Sequence, residues 1–137
     1  MFELTLNKRC NAPVGRVYAA WSTADQVRRW FAPGDMSVPE SEVDFRVGGN
    51  YRIVMQEPDG QRHIVGGVYR EIVENERIAF SWSWEGSEVT TEVQVHFKAA
   101  GEQTDLTLIH REFATSEARD HHQQGWEGCL ANLLQAI

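Results

Sequence analysis

With 137 residues, 42% of them hydrophobic, the chain has enough apolar mass for one core and too little for two independent domains. Its 20 acidic residues outnumber 13 basic ones for a formal charge of -7, spread without blocks of like charge, which argues against a nucleic-acid or anionic-membrane surface. Met1 to Leu6 alternate like a strand rather than forming a basic, apolar leader, and no run approaches the ~18 apolar residues needed to span a bilayer, so a cytoplasmic protein is expected.

Phe2, Leu4 and Leu6 give the opening strand one apolar face, after which the period lengthens to that of a helix. Pro13 suits a first helical turn, and Val14, Val17, Tyr18 and Trp21 follow at i, i+3, i+4 and i+7. Thr23 and Gln26 form a capping box for a second short helix with Val27, Trp30 and Phe31 as its stripe, which Ala32-Pro33-Gly34 stops.

From about Val43 to Phe113 short runs alternate with turn chemistry: Gly48-Gly49-Asn50, Pro58-Asp59-Gly60, Glu74-Asn75-Glu76, Glu85-Gly86-Ser87 and Ala100-Gly101-Glu102. Connections this short allow only antiparallel pairing, so the expectation is a six-strand meander. Inward faces are assigned to Phe45 and Val47; to Tyr51, Ile53 and Met55; to Ile78, Phe80, Trp82 and Trp84; to Val89, Thr91, Val93, Val95 and Phe97; and to Leu106, Leu108 and His110. The run from His63 to Val73 is apolar on both parities and has no assigned face, while Gly66-Gly67 within it marks a bulge or bend.

Thr115 or Ser116 caps a last helix, with Ala118, His122, Trp126, Cys129, Leu130, Leu133 and Ile137 along one stripe that only a broad sheet can cover. Gly125 and Gly128 each cost about 1 kcal/mol against Ala inside a helix, which points to a close backbone approach or a bend beside a cavity. The fold class is therefore α+β, in the order β-α-α-β-β-β-β-β-β-α, with a seven-stranded curved antiparallel sheet around the long final helix.

That order resembles the superfamily of START, birch-pollen-allergen and polyketide-cyclase proteins, called SRPBCC. Several words look like its branch named for the activator of the Hsp90 ATPase: Ala12-Pro13, Trp30-Phe31-Ala32-Pro33, Asp44-Phe45-Arg46-Val47-Gly48-Gly49, Gly67-Val68-Tyr69-Arg70-Glu71-Ile72, Thr104-Asp105-Leu106-Thr107-Leu108, His110 and Gly125-Trp126. The resemblance spans essentially residues 1–137 and implies one helix-grip domain with a pocket. Eukaryotic chaperone activators resemble this chain in one domain only and carry another with an RKxNxxxWHW-like element that nothing here matches, so ATPase stimulation does not carry over.

The expected pocket takes Trp30 from the second helix and Phe45, Ile53, Met55 and Tyr69 from the early strands. Phe80, Trp82, Trp84, Val93, Leu108 and His110 come from the later strands, and Trp126 and Leu130 from the last helix. Large aromatics each bury roughly 150 to 250 Å², worth roughly 4 to 6 kcal/mol before entropy, so stability alone accounts for tryptophans there as well as a binding role does.

A lone histidine such as His110 is most often a hydrogen-bonded core residue; the sharper reading makes it a handle for a ligand or a proton-transfer group. Glu112, about 7 Å along the same face, would flank the ligand, and Tyr69 and Glu71 would add polar groups if they face inward. His121-His122 point about 100° apart and cannot chelate one ion, and Cys10 and Cys129 lack Cys-x-x-Cys spacing, so reduced thiols, no metal and no cofactor are expected. Three readings follow: a module binding a small apolar or aromatic molecule, a cofactor-independent cyclase- or dehydratase-like enzyme using His110, and a protein-interaction module, chaperone-related or homodimeric. No nucleic acid and no membrane insertion are expected.

Overall fold

The computed structural model describes residues 1–137. Its elements are β1 (Phe2–Cys10), α1 (Val14–Ala19), α2 (Ala24–Arg28), β2 (Ser37–Val43), β3 (Asn50–Gln56), β4 (Arg62–Val73), β5 (Arg77–Trp84), β6 (Thr91–Ala100), β7 (Gln103–Phe113) and α3 (Ser116–Ala136). All seven strands join one antiparallel sheet in the order β1-β7-β6-β5-β4-β3-β2, so the meander is continuous and β1 returns to its far edge. No helix is long and apolar enough to cross a membrane.

Local chemistry sets the helix ends as the sequence leads one to expect. The Thr23 hydroxyl accepts from the Gln26 N–H at 3.2 Å, and the Thr115 hydroxyl accepts from the Ala118 N–H at 3.1 Å. Trp30, fully buried, donates its indole N–H to the Ala20 carbonyl at 2.9 Å, which ties α2 back onto the end of α1.

Three stretches depart from the expected strand faces. The first strand of the meander is Ser37–Val43, a polar edge strand that tolerates Pro39 because its outer side has no partner; Phe45 and Val47 lie beyond it, Phe45 half-buried and Val47 63% exposed. Val89 sits in the turn before β6 and is likewise exposed. The third departure is a bulge opposite β1, where Phe2 pairs with Phe113 but Leu4 pairs with His110. Glu112 absorbs the extra residue at a φ of 74°, which turns its side chain to solvent and brings Phe113 inside against the His110 ring. Glu112 therefore does not flank a site beside His110.

The unassigned strand β4 acquires its faces from a second irregularity between Tyr69 and Glu71. Tyr69 points into the core, whereas Glu71 is exposed and bound to Arg77. Gly66 and Gly67 serve close approach: a Cβ on Gly66 would stand 2.9 Å from the Tyr51 carbonyl, and one on Gly67 would collide with the carbonyl of Ser81. There the Ser81 hydroxyl accepts from Val68 N–H at 2.9 Å and its carbonyl accepts from the Tyr51 hydroxyl at 2.6 Å, so the bent sheet keeps its polar groups paired.

A left-handed conformation at a residue with a Cβ is strained. Glu112→Gly should therefore stabilise the fold by about 0.5 to 1 kcal/mol, read as a higher urea midpoint with an unchanged slope.

Candidate functional site

Among the strands α3 lies closest to β1 and β7, while α2 rests on β2, so the helix covers one side of the sheet's concave face. Between α3 and the strands β3 to β5 a cavity of about 480 Å³ remains. Phe31, Pro33 and Met36 wall it from the α2–β2 segment; Met55, His63, Trp82 and Trp84 come from β3, β4 and β5. The helix supplies Ala118, His121, His122, Gly125, Trp126 and Cys129.

Two glycines on α3 shape this space in different ways. A Cβ on Gly128 would come 2.7 Å from Pro33 Cβ, so this glycine lets the helix dock on the α2–β2 segment, where Asn132 also donates to the Ala32 carbonyl at 2.6 Å. A Cβ on Gly125 would touch nothing, and its missing side chain is part of the cavity.

The aromatic floor is continuous. Trp82 and Trp126 lie 5.0 Å apart between ring centres, with Trp84 at 5.5 Å from Trp82 and Phe31 at 5.5 Å from Trp126. Two indole-to-imidazole bonds cross between helix and sheet in opposite senses. Trp126 on the helix donates to His110 Nδ1 at 3.0 Å, and Trp84 on the sheet donates to His122 Nε2 at 3.0 Å.

Each bond fixes a tautomer. Because His110 Nδ1 accepts, its proton sits on Nε2 and is given to the Thr91 hydroxyl at 2.7 Å, which donates on to the Trp82 carbonyl. In His122 the Nδ1–H goes to the Ala118 carbonyl at 2.7 Å, leaving Nε2 to accept. Burial, with His122 nearby, pushes the proton affinity of His110 down to a pKa of about 3; burial lowers that of His122 as well. Cys129 is buried in apolar surroundings, which push its thiol up to about 12 and leave it inert.

Of the residues expected in the pocket, Met55, Trp82, Trp84 and Trp126 meet around the cavity. Ile53, Tyr69 and Phe80 instead line a separate void of about 20 Å³. Trp30, Val93, Leu108, Leu130 and His110 are core, and Phe45 packs edge-on against Tyr18 and Tyr69. His110 thus lies behind the cavity wall with both nitrogens engaged, so proton transfer by it would require breaking the Trp126 bond.

Sequence reasoning did not place Phe31, Pro33, Met36, His63, His121, His122 or Cys129 around the cavity. A histidine four residues before Trp126 on the same helical stripe was the available signal for His122. One buried polar side-chain atom of the wall has no protein partner: the indole N–H of Trp82, and such an orphan costs about 1 to 3 kcal/mol.

The family model described as activator of Hsp90 ATPase homolog 1-like protein matches residues 11–137. The chain belongs to this family. Solved relatives of the Hsp90-activator-like fold include a protein of Chromobacterium violaceum at 24% identity, covering 98% of this chain and 96% of that one, with a TM-score of 0.91. The AHSA1 protein of Silicibacter pomeroyi is 25% identical over 98% of this chain and 96% of its own, with a TM-score of 0.89. An AHSA1-like protein of Aeromonas hydrophila, solved by NMR, reaches 0.83 at 24% identity over 99% and 92%. No curated protein matches the chain. The shared architecture of this family, with its buried aromatic residues, is consistent with a ligand-binding domain.

Opposite effects are expected from the same substitution at the two helical glycines. Gly125→Ala should raise stability by about 1 kcal/mol through helix propensity alone, while Gly128→Ala should lower it because Pro33 cannot yield; thermal melts of the pair decide this.

The histidine core also predicts an acid response. Above pH ~6.5 His110 is neutral whether folded or unfolded; below it the unfolded chain takes up a proton that the folded one refuses until about pH 3. Stability should therefore fall as pH drops from ~6.5, and His110→Gln should remove about 1.4 kcal/mol per pH unit of that slope in urea unfolding between pH 6 and 4.

Proposed function

We propose that residues 1–137 act as one cytoplasmic binding domain that takes a small apolar or aromatic molecule into the cavity between α3 and the strands β3 to β5. The observation that carries this reading is the cavity itself: about 480 Å³, floored by tryptophan rings and walled by Met36, Met55 and Cys129. Its volume falls within the ~300 to 1,000 Å³ typical of small-molecule sites, and a mainly apolar wall with few polar groups is their usual make-up.

The buried free thiols of Cys10 and Cys129 fit a reducing compartment. The large apolar side chains most exposed are Met1 and Phe2 at the start of the chain, Val47 and Val89, three separate segments, which gives a protein-interaction reading less support than the cavity gives to binding.

The neutral dye Nile red should bind with a blue-shifted, enhanced emission that saturates at one equivalent. Gly125→Phe, which projects a ring into the cavity from a position where nothing obstructs it, should weaken that binding by tenfold or more (roughly 1.4 kcal/mol) with the melting temperature retained. Equal dye binding by the two proteins would place the dye elsewhere and remove the support for this site.

A further inference from the structure

The wall of the cavity has a one-sided polar chemistry. None of its residues bears a side-chain oxygen, and none is a lysine, arginine, aspartate or glutamate. Phenylalanine, proline, methionine, alanine, glycine and cysteine offer a guest no strong acceptor, and an indole offers only a donor.

Of the three histidines in the wall, His121 is exposed to solvent and the other two are engaged. Both nitrogens of His122 are spent, on Trp84 and on the Ala118 carbonyl. His63 at the rim already shares Nε2 with Glu57 at 3.0 Å. The Trp84 indole N–H is committed to His122, whereas the Trp82 indole N–H is buried without a partner.

We infer that the cavity selects uncharged, flat guests that carry a hydrogen-bond acceptor and no donor, a ketone, quinone or ester on an aromatic body, and that the Trp82 N–H reads the acceptor. This rests on the binding role proposed above and specifies its ligand class. A guest hydroxyl or amine would surrender its hydration and find no side-chain oxygen in the wall, and a carboxylate would meet no lysine or arginine there. A carbonyl gives up water as an acceptor and regains a bond from a donor that otherwise goes unmet. The Trp82 nitrogen has almost no exposed surface, so the bond requires the indole ring to turn toward the guest.

The test uses naphthalenes of one shape: 2-ethylnaphthalene, 2-acetylnaphthalene, 1-(2-naphthyl)ethanol and 2-naphthoate. The ketone should bind about tenfold tighter than the alcohol and the carboxylate. In nitrogen-proton NMR spectra the Trp82 indole signal, assigned by its loss in Trp82→Phe, should shift downfield with the ketone and stay near its free position with the hydrocarbon. Trp82→Phe should weaken the ketone about tenfold relative to the hydrocarbon, while the alcohol keeps the disadvantage of its unmet donor.

An alcohol that binds as tightly as the ketone overturns the proposed selectivity, and a ketone affinity that is unchanged relative to the hydrocarbon in Trp82→Phe, or a ketone that leaves the Trp82 signal in place, overturns the assignment to Trp82. In these cases hydrocarbon binding leaves the pocket reading standing. If none of the four compounds binds, the hydrocarbon included, the pocket reading fails and the inference with it. The NMR arm needs only the unmodified protein, so a poorly folded Trp82→Phe does not weaken it.

Discussion

The bond from the Trp126 indole to His110 Nδ1 is the contact on which the arrangement of helix and sheet depends. It is buried, it joins the middle of α3 to β7, and it continues through Thr91 into the backbone of β5. A buried imidazole is tolerable only while neutral and paired on both sides, so the chain holds the ring in one tautomer and the helix in one rotational setting. The reverse bond, from Trp84 to His122, repeats the logic one turn earlier on the helix. Together they fix where α3 meets the sheet and, equally, where it stands away from it.

The standing-away is what creates a site. Gly128 lets the helix approach Pro33 closely, while Gly125, three residues earlier, contributes space rather than contact. The close approaches at Gly66 and Gly67 draw β4 against the Tyr51 and Ser81 carbonyls of its neighbours, and Ser81 accepts there from the Val68 N–H and the Tyr51 hydroxyl. The cavity thus arises from positions where side chains are absent or backbones approach too closely for one. The adjoining tryptophans turn the remaining faces into an apolar floor.

The architecture was legible because its signals are periodic and local. Turn chemistry cut the chain into strands, and the capping hydroxyls of Thr23 and Thr115 marked two helix starts. What escaped was whatever depends on pairing across distance. Ser37–Val43 reads as a loop because an edge strand needs only one partner and can carry Pro39 and charged residues. Glu112 was placed inward by simple alternation, but the single extra residue opposite β1 reverses parity, and a bulge leaves no unambiguous mark in sequence. The pocket was only partly legible for the same reason: the residues facing a void and those packed solid behind it share one periodicity, so Trp82 and Leu108 look alike until the path of the helix is known.

Two thioethers, Met36 and Met55, form part of the wall opposite the helix. Unbranched and turning freely about their bonds, they let that side of the chamber remould around bodies of different outline at little cost. For any guest the chamber takes, contour would therefore be a weaker filter than the polar chemistry of the wall.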